Sequence, residues 1–258
     1  MDFADPKQRQ VFFEVHSGLP REGPGDRTST ARALAMAQPL PAAAQVLDIA
    51  CGPGAQTIDL ADLLPEATIT AVDLHEPFVL ETRRRAAEHG VAGRVRAAVG
   101  DMTALAFPPA SFDLLWCEGA AYIMGVGAAL QAWRPLLRSG GRLALTEAVW
   151  LRPDPPEPVR RLFAEYPAMG DVAAARTLVR NSGYRLLGDF VLPQAAWLTD
   201  YYEPLRQRLA ELAPRYADDP VARAVLAECA EEIAGFERYG DCYGYVFLVM
   251  TPAAGSRR

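Results

Sequence analysis

The chain has 258 residues, 50% hydrophobic and 22% charged, with a formal net charge of −6. That length and composition describe a globular protein of one large domain or two small ones, and an acidic chain lacks the broad basic field that nucleic-acid backbones require. Four cysteines without a CxxC pair and only three histidines show no metal-binding spacing; with no secretory segment and no apolar run of spanning length, the expected location is cytoplasmic.

In chain order, Val11, Phe12, Phe13 and Val15 predict a helix within residues 1–20. Leu19-Pro20-Arg21-Glu22-Gly23-Pro24-Gly25-Asp26 is a turn-rich loop. A Ser29/Thr30 cap before the run 31–37 predicts a short helix. Residues 46–50 read as a buried strand that breaks into a Gly52-Pro53-Gly54 turn, and Ile58, Leu60, Ala61, Leu63 and Leu64 then begin a helix. Further strands are expected at 67–72 (ending at Asp73), 95–99, 111–117 and 142–146 (ending at Glu147). Helices at 77–89, stopped by Gly90, and at 128–137 lie between them. This alternation predicts an α/β protein with a Rossmann-like, doubly wound parallel sheet.

The proline-rich stretch 152–158 leaves the sheet. A helix at 172–181, a sixth strand at 184–192, amphipathic helices at about 198–213 and 220–238, and a β-prone run at 243–250 complete the pattern, the last returning to the same sheet. The predicted organisation is a single domain over 1–258: an N-terminal helical cap (1–40), a cofactor-binding core (41–147), a lid and substrate region with strand six (151–240) and a final strand (241–252). Residues 253–258 read as a frayed tail.

Ligands of an open α/β sheet bind beyond the carboxyl ends of its strands. Those ends carry Cys51-Gly52-Pro53-Gly54, Asp73-Leu74, Asp101-Met102, Glu118-Gly119-Ala120 and Glu147, with no lysine or arginine among them. A pyrophosphate calls for cations or a fuller glycine fingerprint, and Thr57 stands where a nicotinamide-binding GxGxxG motif needs its third glycine. The rim suits a phosphate-free ligand with ribose hydroxyls and positive charge, a description that S-adenosylmethionine meets. On that reading the glycine turn and the first amides of the next helix approach the ligand. Asp73 accepts both ribose hydroxyls, and Asp101 with the Met102 amide reads the adenine. Asp48, acidic inside an apolar strand, needs donors; it either orients the turn's amides or receives the ligand's ammonium through water.

Asp48-Ile49-Ala50-Cys51-Gly52-Pro53-Gly54, Asp73, Gly100-Asp101-Met102 and Leu136-Leu137-Arg138-Ser139-Gly140-Gly141-Arg142 closely resemble the motifs of class I S-adenosylmethionine-dependent methyltransferases, over about residues 30–147 and more weakly to the end. The chain departs from them at Ala50, where many members carry Gly and where the substitution is expected only to tighten the turn. The resemblance implies a seven-stranded sheet with an antiparallel last strand, so that 243–250 inserts beside strand five. It also implies S-adenosylmethionine as methyl donor, S-adenosylhomocysteine as product, and no metal. Trp116-Cys117-Glu118-Gly119-Ala120-Ala121-Tyr122 and Asp241-Cys242-Tyr243-Gly244-Tyr245-Val246-Phe247 look like a bacterial subgroup of small-molecule methyltransferases. In that subgroup Arg21-Glu22-Gly23-Pro24-Gly25 resembles a flap over the cofactor's methionine end. The expected cofactor-binding residues are Arg21, Gly23, Asp48, Ala50, Cys51, Gly52, Gly54, Gln56, Asp73, Leu74, Asp101, Met102, Glu118 and Gly119.

Methyl transfer from a sulfonium is an in-line displacement, helped by alignment and exclusion of water and, for a weakly acidic hydroxyl, by a base. Strand four is followed by Cys117-Glu118-Gly119-Ala120, not by the Asn/Asp-Pro-Pro-aromatic signature of amino-group adenine methylases. Glu118 is expected to face the transferring methyl, and His16 is a candidate general base. Tyr122, Trp150, Tyr201 and Tyr202 are candidate substrate contacts; adjacent Tyr201 and Tyr202 are expected not to face the same core. The expected function is methylation of a small molecule on O, N or C. The alternatives are methylation of a quinone-type hydrophobic precursor, or a non-catalytic adenosylmethionine-binding regulator. The expected partner is a small-molecule substrate, with no nucleic acid and no membrane insertion, and a homodimer is left open.

Overall fold

A computed structural model of the protein describes residues 4–253; residues 1–3 and most of the expected tail lie outside the described residues. The strands are β1 (Gln45–Ile49), β2 (Thr68–Asp73), β3 (Val95–Val99), β4 (Phe112–Cys117), β5 (Leu137–Trp150), β6 (Tyr184–Val191) and β7 (Tyr243–Pro252). They form a seven-stranded sheet in the order β3-β2-β1-β4-β5-β7-β6. β1 to β5 run parallel, whereas β7 is antiparallel to both β5 and β6. The last strand thus inserts beside β5, with Glu147 opposite Val246.

Period-2 alternation decides which side chains meet which layer. Leu47, Ile49, Leu115, Leu143 and Leu145 share one buried cluster with Val126, Leu130 and Trp133 of α5 (Val126–Trp133) and Val179 of α7 (Val172–Asn181). Val46, Leu114, Trp116 and Ala144 share another with α2 (Arg27–Ala37) and α3 (Ala55–Leu63). β4 is covered on both faces, so all six of its residues are buried. A third cluster holds α1 (Pro6–His16), α9 (Glu203–Leu212) and α10 (Pro220–Tyr239) together through Val11, Val15, Leu205, Leu209 and Ile233. Lys7 pairs with Asp219 at 3.2 Å, so charge as well as apolar packing ties the N-terminal helix to the C-terminal ones. Among the described residues no helix is long and apolar enough to cross a membrane.

Several elements depart from the sequence expectations for identifiable reasons. Asp26, not Ser29 or Thr30, caps α2: its carboxylate accepts the Ser29 amide at 2.6 Å, and Ser29 and Thr30 lie buried inside the helix. The helix expected at 128–137 stops at Trp133, where Pro135 turns Arg134–Leu136 into a 3₁₀ segment and lets β5 start earlier. A short helix α6 (Glu157–Leu162) begins within the proline-rich excursion, with Pro158 in its first turn, where no amide is needed. α4 (Glu76–Glu88) keeps its expected position. The helix expected at 198–213 is preceded by α8 (Ala195–Trp197) and opens with a π-helical turn, Leu198–Tyr202.

Candidate functional site

The sheet order reverses between β1 and β4, and a cavity of about 510 Å³ opens at the carboxyl ends of β1 to β4, the position an open α/β sheet offers to ligands. Ala50, Cys51 and Gly52 form its floor. Ala50 adopts φ +55°, a left-handed conformation that suits glycine better; this is a strain beyond the simple tightening expected of the Gly replacement. Gly54, at φ +87°, does not line the cavity: a Cβ there would fall 2.6 Å from Thr82 Oγ1, so the residue serves the packing of the turn on α4. The Gly52 amide does not face the ligand space freely either, since it donates to Asp73 Oδ2 at 2.9 Å.

Asp73 is held at both ends. Oδ2 takes the Gly52 amide and Oδ1 takes the His75 amide at 2.8 Å, which fixes the carboxylate at the cavity wall with lone pairs to spare. Burial raises its pKa, while the His75 and Gly52 amides oppose the shift. Across from it stands Glu22, a cavity residue that motif reading passed over within the flap sequence. Its Oε1 is buried without a partner, and its side chain packs over the turn, 3.2 Å from where a Cβ on Gly52 would sit. Burial, with the charge of Asp73 adding to it and Arg85 opposing, pushes the Glu22 carboxyl up to about 9. Arg85 also anchors the flap's root, donating to the carbonyls of Pro20 at 2.8 Å and Leu19 at 2.9 Å. Beside Asp73, Phe13 stacks on His75 with ring centroids 3.8 Å apart; both line the cavity, and only the fold brings α1 there.

Asp48 sits behind the wall, fully buried. Oδ2 accepts from Thr57 Oγ1 at 2.5 Å, Oδ1 has no partner, and burial lifts the carboxyl to about 7. Thr57 therefore marks more than a missing third glycine: it is the donor that the buried Asp48 requires. Gln56 is buried at the cavity and holds the turn by donating to the Cys51 carbonyl at 2.9 Å.

Glu118 reaches the cavity with its oxygens already engaged. Arg21 Nη1 donates at 3.0 Å, Trp116 Nε1 at 2.8 Å and Thr30 Oγ1 at 3.3 Å. Arg21, itself 5% exposed, also pairs with Asp59 at 3.1 Å. Burial holds the Glu118 carboxyl above the ordinary range despite the attraction of Arg21. This arrangement clamps the flap to β4 and leaves Glu118 poorly placed to act as a free base. Gly23, Leu74, Asp101, Met102, Gly119 and Tyr122 also line the cavity. Leu74 is 71% exposed, an apolar surface turned to the opening. Asp101 Oδ1 accepts from the amide and hydroxyl of Thr103, a local turn that holds its carboxylate below the usual range.

Besides Gly54 and Asp48, four expected site residues lie outside the cavity lining. His16 is buried against Phe12, with Nδ1 2.8 Å from the Phe12 carbonyl, and burial drops its pKa to about 4; it packs inside the helical layer and does not line the cavity. Trp150 packs edge-on against Phe163. Tyr201 and Tyr202 do share one core, contrary to the expectation from their adjacency, with ring centroids 4.8 Å apart and both hydroxyls directed at Glu232. The π-helical turn alters the angular step between neighbours and so allows it.

A family model described as a methyltransferase domain matches residues 46–141, the β1–β5 segment that builds the cavity floor. The chain is 36% identical over 120 residues to nocamycin O-methyltransferase of Saccharothrix syringae, a match covering 46% of this chain and 42% of that protein. It is 30% identical over 208 residues to trans-aconitate 2-methyltransferase of Paracidovorax citrulli, covering 77% of each chain. The crystal structure of a SAM-dependent methyltransferase from Geobacter sulfurreducens, in complex with S-adenosyl-L-homocysteine, shares the fold with a TM-score of 0.81 at 22% identity, covering 94% of this chain and 98% of that one. The chain belongs to the class I S-adenosylmethionine-dependent methyltransferases.

Proposed function

We propose that the protein transfers a methyl group from S-adenosylmethionine to a small molecule, and that the cavity holds both reactants. The observation that carries this reading is the pair of carboxyls, Asp73 and Glu22, turned into one cavity over a glycine turn, with a buried oxygen of Glu22 lacking a donor. A ligand rich in hydroxyl donors and positive charge fits such a place, and a phosphate does not. Asp73 would accept the ribose hydroxyls on the lone pairs that its two amide contacts leave free. Glu22 would take a further donor from above the turn. Leu74 and Met102 offer apolar surface to the purine, with Asp101 at its edge. Ala50, Cys51 and Gly52 form the floor, and the flap from Arg21 to Gly25, fixed by Glu118 and Asp59, closes the methionine end.

The bound donor supplies a methyl carbon on a positively charged sulfur, already activated for displacement. The chain's own work is to orient the two reactants and exclude water. The family, the acidic rim and the relatives whose names give small-molecule acceptors support a small-molecule acceptor.

Titration calorimetry with S-adenosylhomocysteine tests the assignment, and a protein that binds neither it nor S-adenosylmethionine overturns it. Asp73→Ala is expected to weaken binding by about 1–3 kcal/mol, roughly ten- to a hundredfold, the scale of lost charge-assisted hydrogen bonds. Adenosylhomocysteine release during a metabolite-library screen separates an enzyme from a binding regulator.

A further inference from the structure

One carboxyl at the cavity has no cation to offset it. Glu22 lines the cavity with its Oε1 buried and without a partner, and its side chain lies over the turn at Gly52. The charges that act on it are those of Asp73 from β2, which opposes its ionisation, and Arg85 from α4, which favours it. All the side-chain nitrogens of Arg85 are engaged elsewhere. Nε donates to Glu81 at 2.7 Å, and the two Nη atoms donate to the carbonyls of Pro20 at 2.8 Å and Leu19 at 2.9 Å.

The other charged and titratable groups around the cavity leave this carboxyl uncompensated. Arg21, its neighbour in the chain, is turned to Glu118 at 3.0 Å and Asp59 at 3.1 Å. Tyr201, in the π-helical turn, feels the charge of Glu22 but directs its hydroxyl to Glu232. His75 stands beside Asp73, and burial lowers its pKa, which favours the neutral ring. Arg9, Asp101 and Glu118 also line the cavity, and none of them acts on Glu22. A buried carboxyl so placed is held more cheaply as the acid than as the anion. Burial and the charge of Asp73 accordingly push it up to about 9, so Glu22 is protonated at pH 7 until a positive charge arrives.

S-adenosylmethionine and S-adenosylhomocysteine share an adenosine, an ammonium and a carboxylate; the donor adds a sulfonium charge that the product lacks. We propose that Glu22 distinguishes the methyl donor from its product by charge: it is a carboxylate offsetting the sulfonium in the donor complex and a neutral acid in the product complex. The inference rests on the methyl-transfer reading above and concerns how that same cavity tells its two ligands apart. As the donor binds, the Glu22 O–H bond breaks, its electron pair stays on the carboxylate, and the proton leaves to solvent. Once the methyl group has left, the sulfur is a neutral thioether, and Glu22 recovers a proton from solvent. The acceptor's own proton takes no part in this exchange. The charge that strengthens the hold on the donor is thereby withdrawn from the product, which favours its release.

The test is titration calorimetry of the full chain at pH 7 with each ligand, in buffers of different ionisation enthalpy, which counts the protons exchanged. Relative to Glu22→Gln, the unaltered protein is expected to release close to one more proton on binding S-adenosylmethionine, and no more on binding S-adenosylhomocysteine. Glu22→Gln, an uncharged match for the acid form, is expected to bind the donor about tenfold more weakly and the product within about twofold of wild type. Equal proton release with the two ligands, no release attributable to Glu22, or an unchanged preference for the donor in Glu22→Gln overturns the proposal. Failure of the unaltered protein to bind either ligand instead overturns the cofactor assignment. Infrared difference spectra give a readout that does not depend on the variant. Adding the donor to the unaltered protein is expected to remove a carboxylic-acid band that persists when the product is added; a band indifferent to the donor, or lost with both ligands, also overturns the proposal.

Discussion

At the β1–β2 end of the cavity the floor is backbone: Ala50, Cys51 and Gly52 pass beneath the ligand space, and Asp73 is oriented by two main-chain amides. Near the β4–β5 end the surroundings are built from side chains of distant segments, with Tyr122 on the cavity and Glu147, Tyr166 and Tyr245 behind it, which meet only through the fold. The difference teaches how each end can vary. A backbone site tolerates little change because a turn's conformation fixes it. A side-chain site can change its acceptor by exchanging residues on a rigid sheet.

The largest expected effect tests whether Glu118 belongs to the scaffold of the first end. Arg21→Ala leaves a buried carboxylate that has lost its cation, and such breakage costs about 3–5 kcal/mol. Urea unfolding is expected to show that loss, with much of it recovered in Arg21→Ala/Glu118→Gln. A single variant with wild-type stability would remove the clamp from the picture.

Glu22 gives a smaller, pH-dependent effect. Its folded-state pKa, about 9, lies above the unfolded value. Its contribution to stability is therefore complete below the unfolded pKa and is lost as pH rises toward 9. Glu22→Gln is expected to unfold at a higher temperature than wild type above the unfolded pKa, by the equivalent of about 2 kcal/mol near pH 6 and more as pH rises toward 9, with the two converging in acid. Parallel melting curves at all pH values would mean that Glu22 does not carry the extra proton.

The smallest effect concerns the turn itself. Ala50→Gly relieves a left-handed alanine while adding freedom to the unfolded chain, for a net stabilisation of about 0.5–1 kcal/mol. A melting temperature a few degrees higher, with cofactor affinity retained, is the expected outcome; a lower one would show that the alanine methyl is needed for packing.

The contrast also explains what could be read in advance. The alternation of apolar strands and helices, the glycine turn and the carboxylates at successive strand ends are local patterns, so the sheet and the rim at its strand ends were legible. Asp48 and Thr57 were each noticed, yet their hydrogen bond was not, because it joins a strand to the following helix across the turn. His16, Tyr201 and Tyr202 were misjudged for a related reason. Sequence gives residue type and spacing, but burial against Phe12 and a π-helical turn decided where those rings point.

The amino-acid sequence by itself determined the doubly wound sheet, the strand-end rim and the class of ligand suited to it, since hydrophobic periodicity and backbone turn chemistry act over short stretches. Only the tertiary structure decided that Glu22 would face Asp73, that Arg21 would occupy Glu118, and that Glu147 would stand beside Tyr166 with one oxygen unpaired. Those relations join segments far apart in the chain, and burial, which sets the charge state of each carboxyl, exists only once the layers have closed over them.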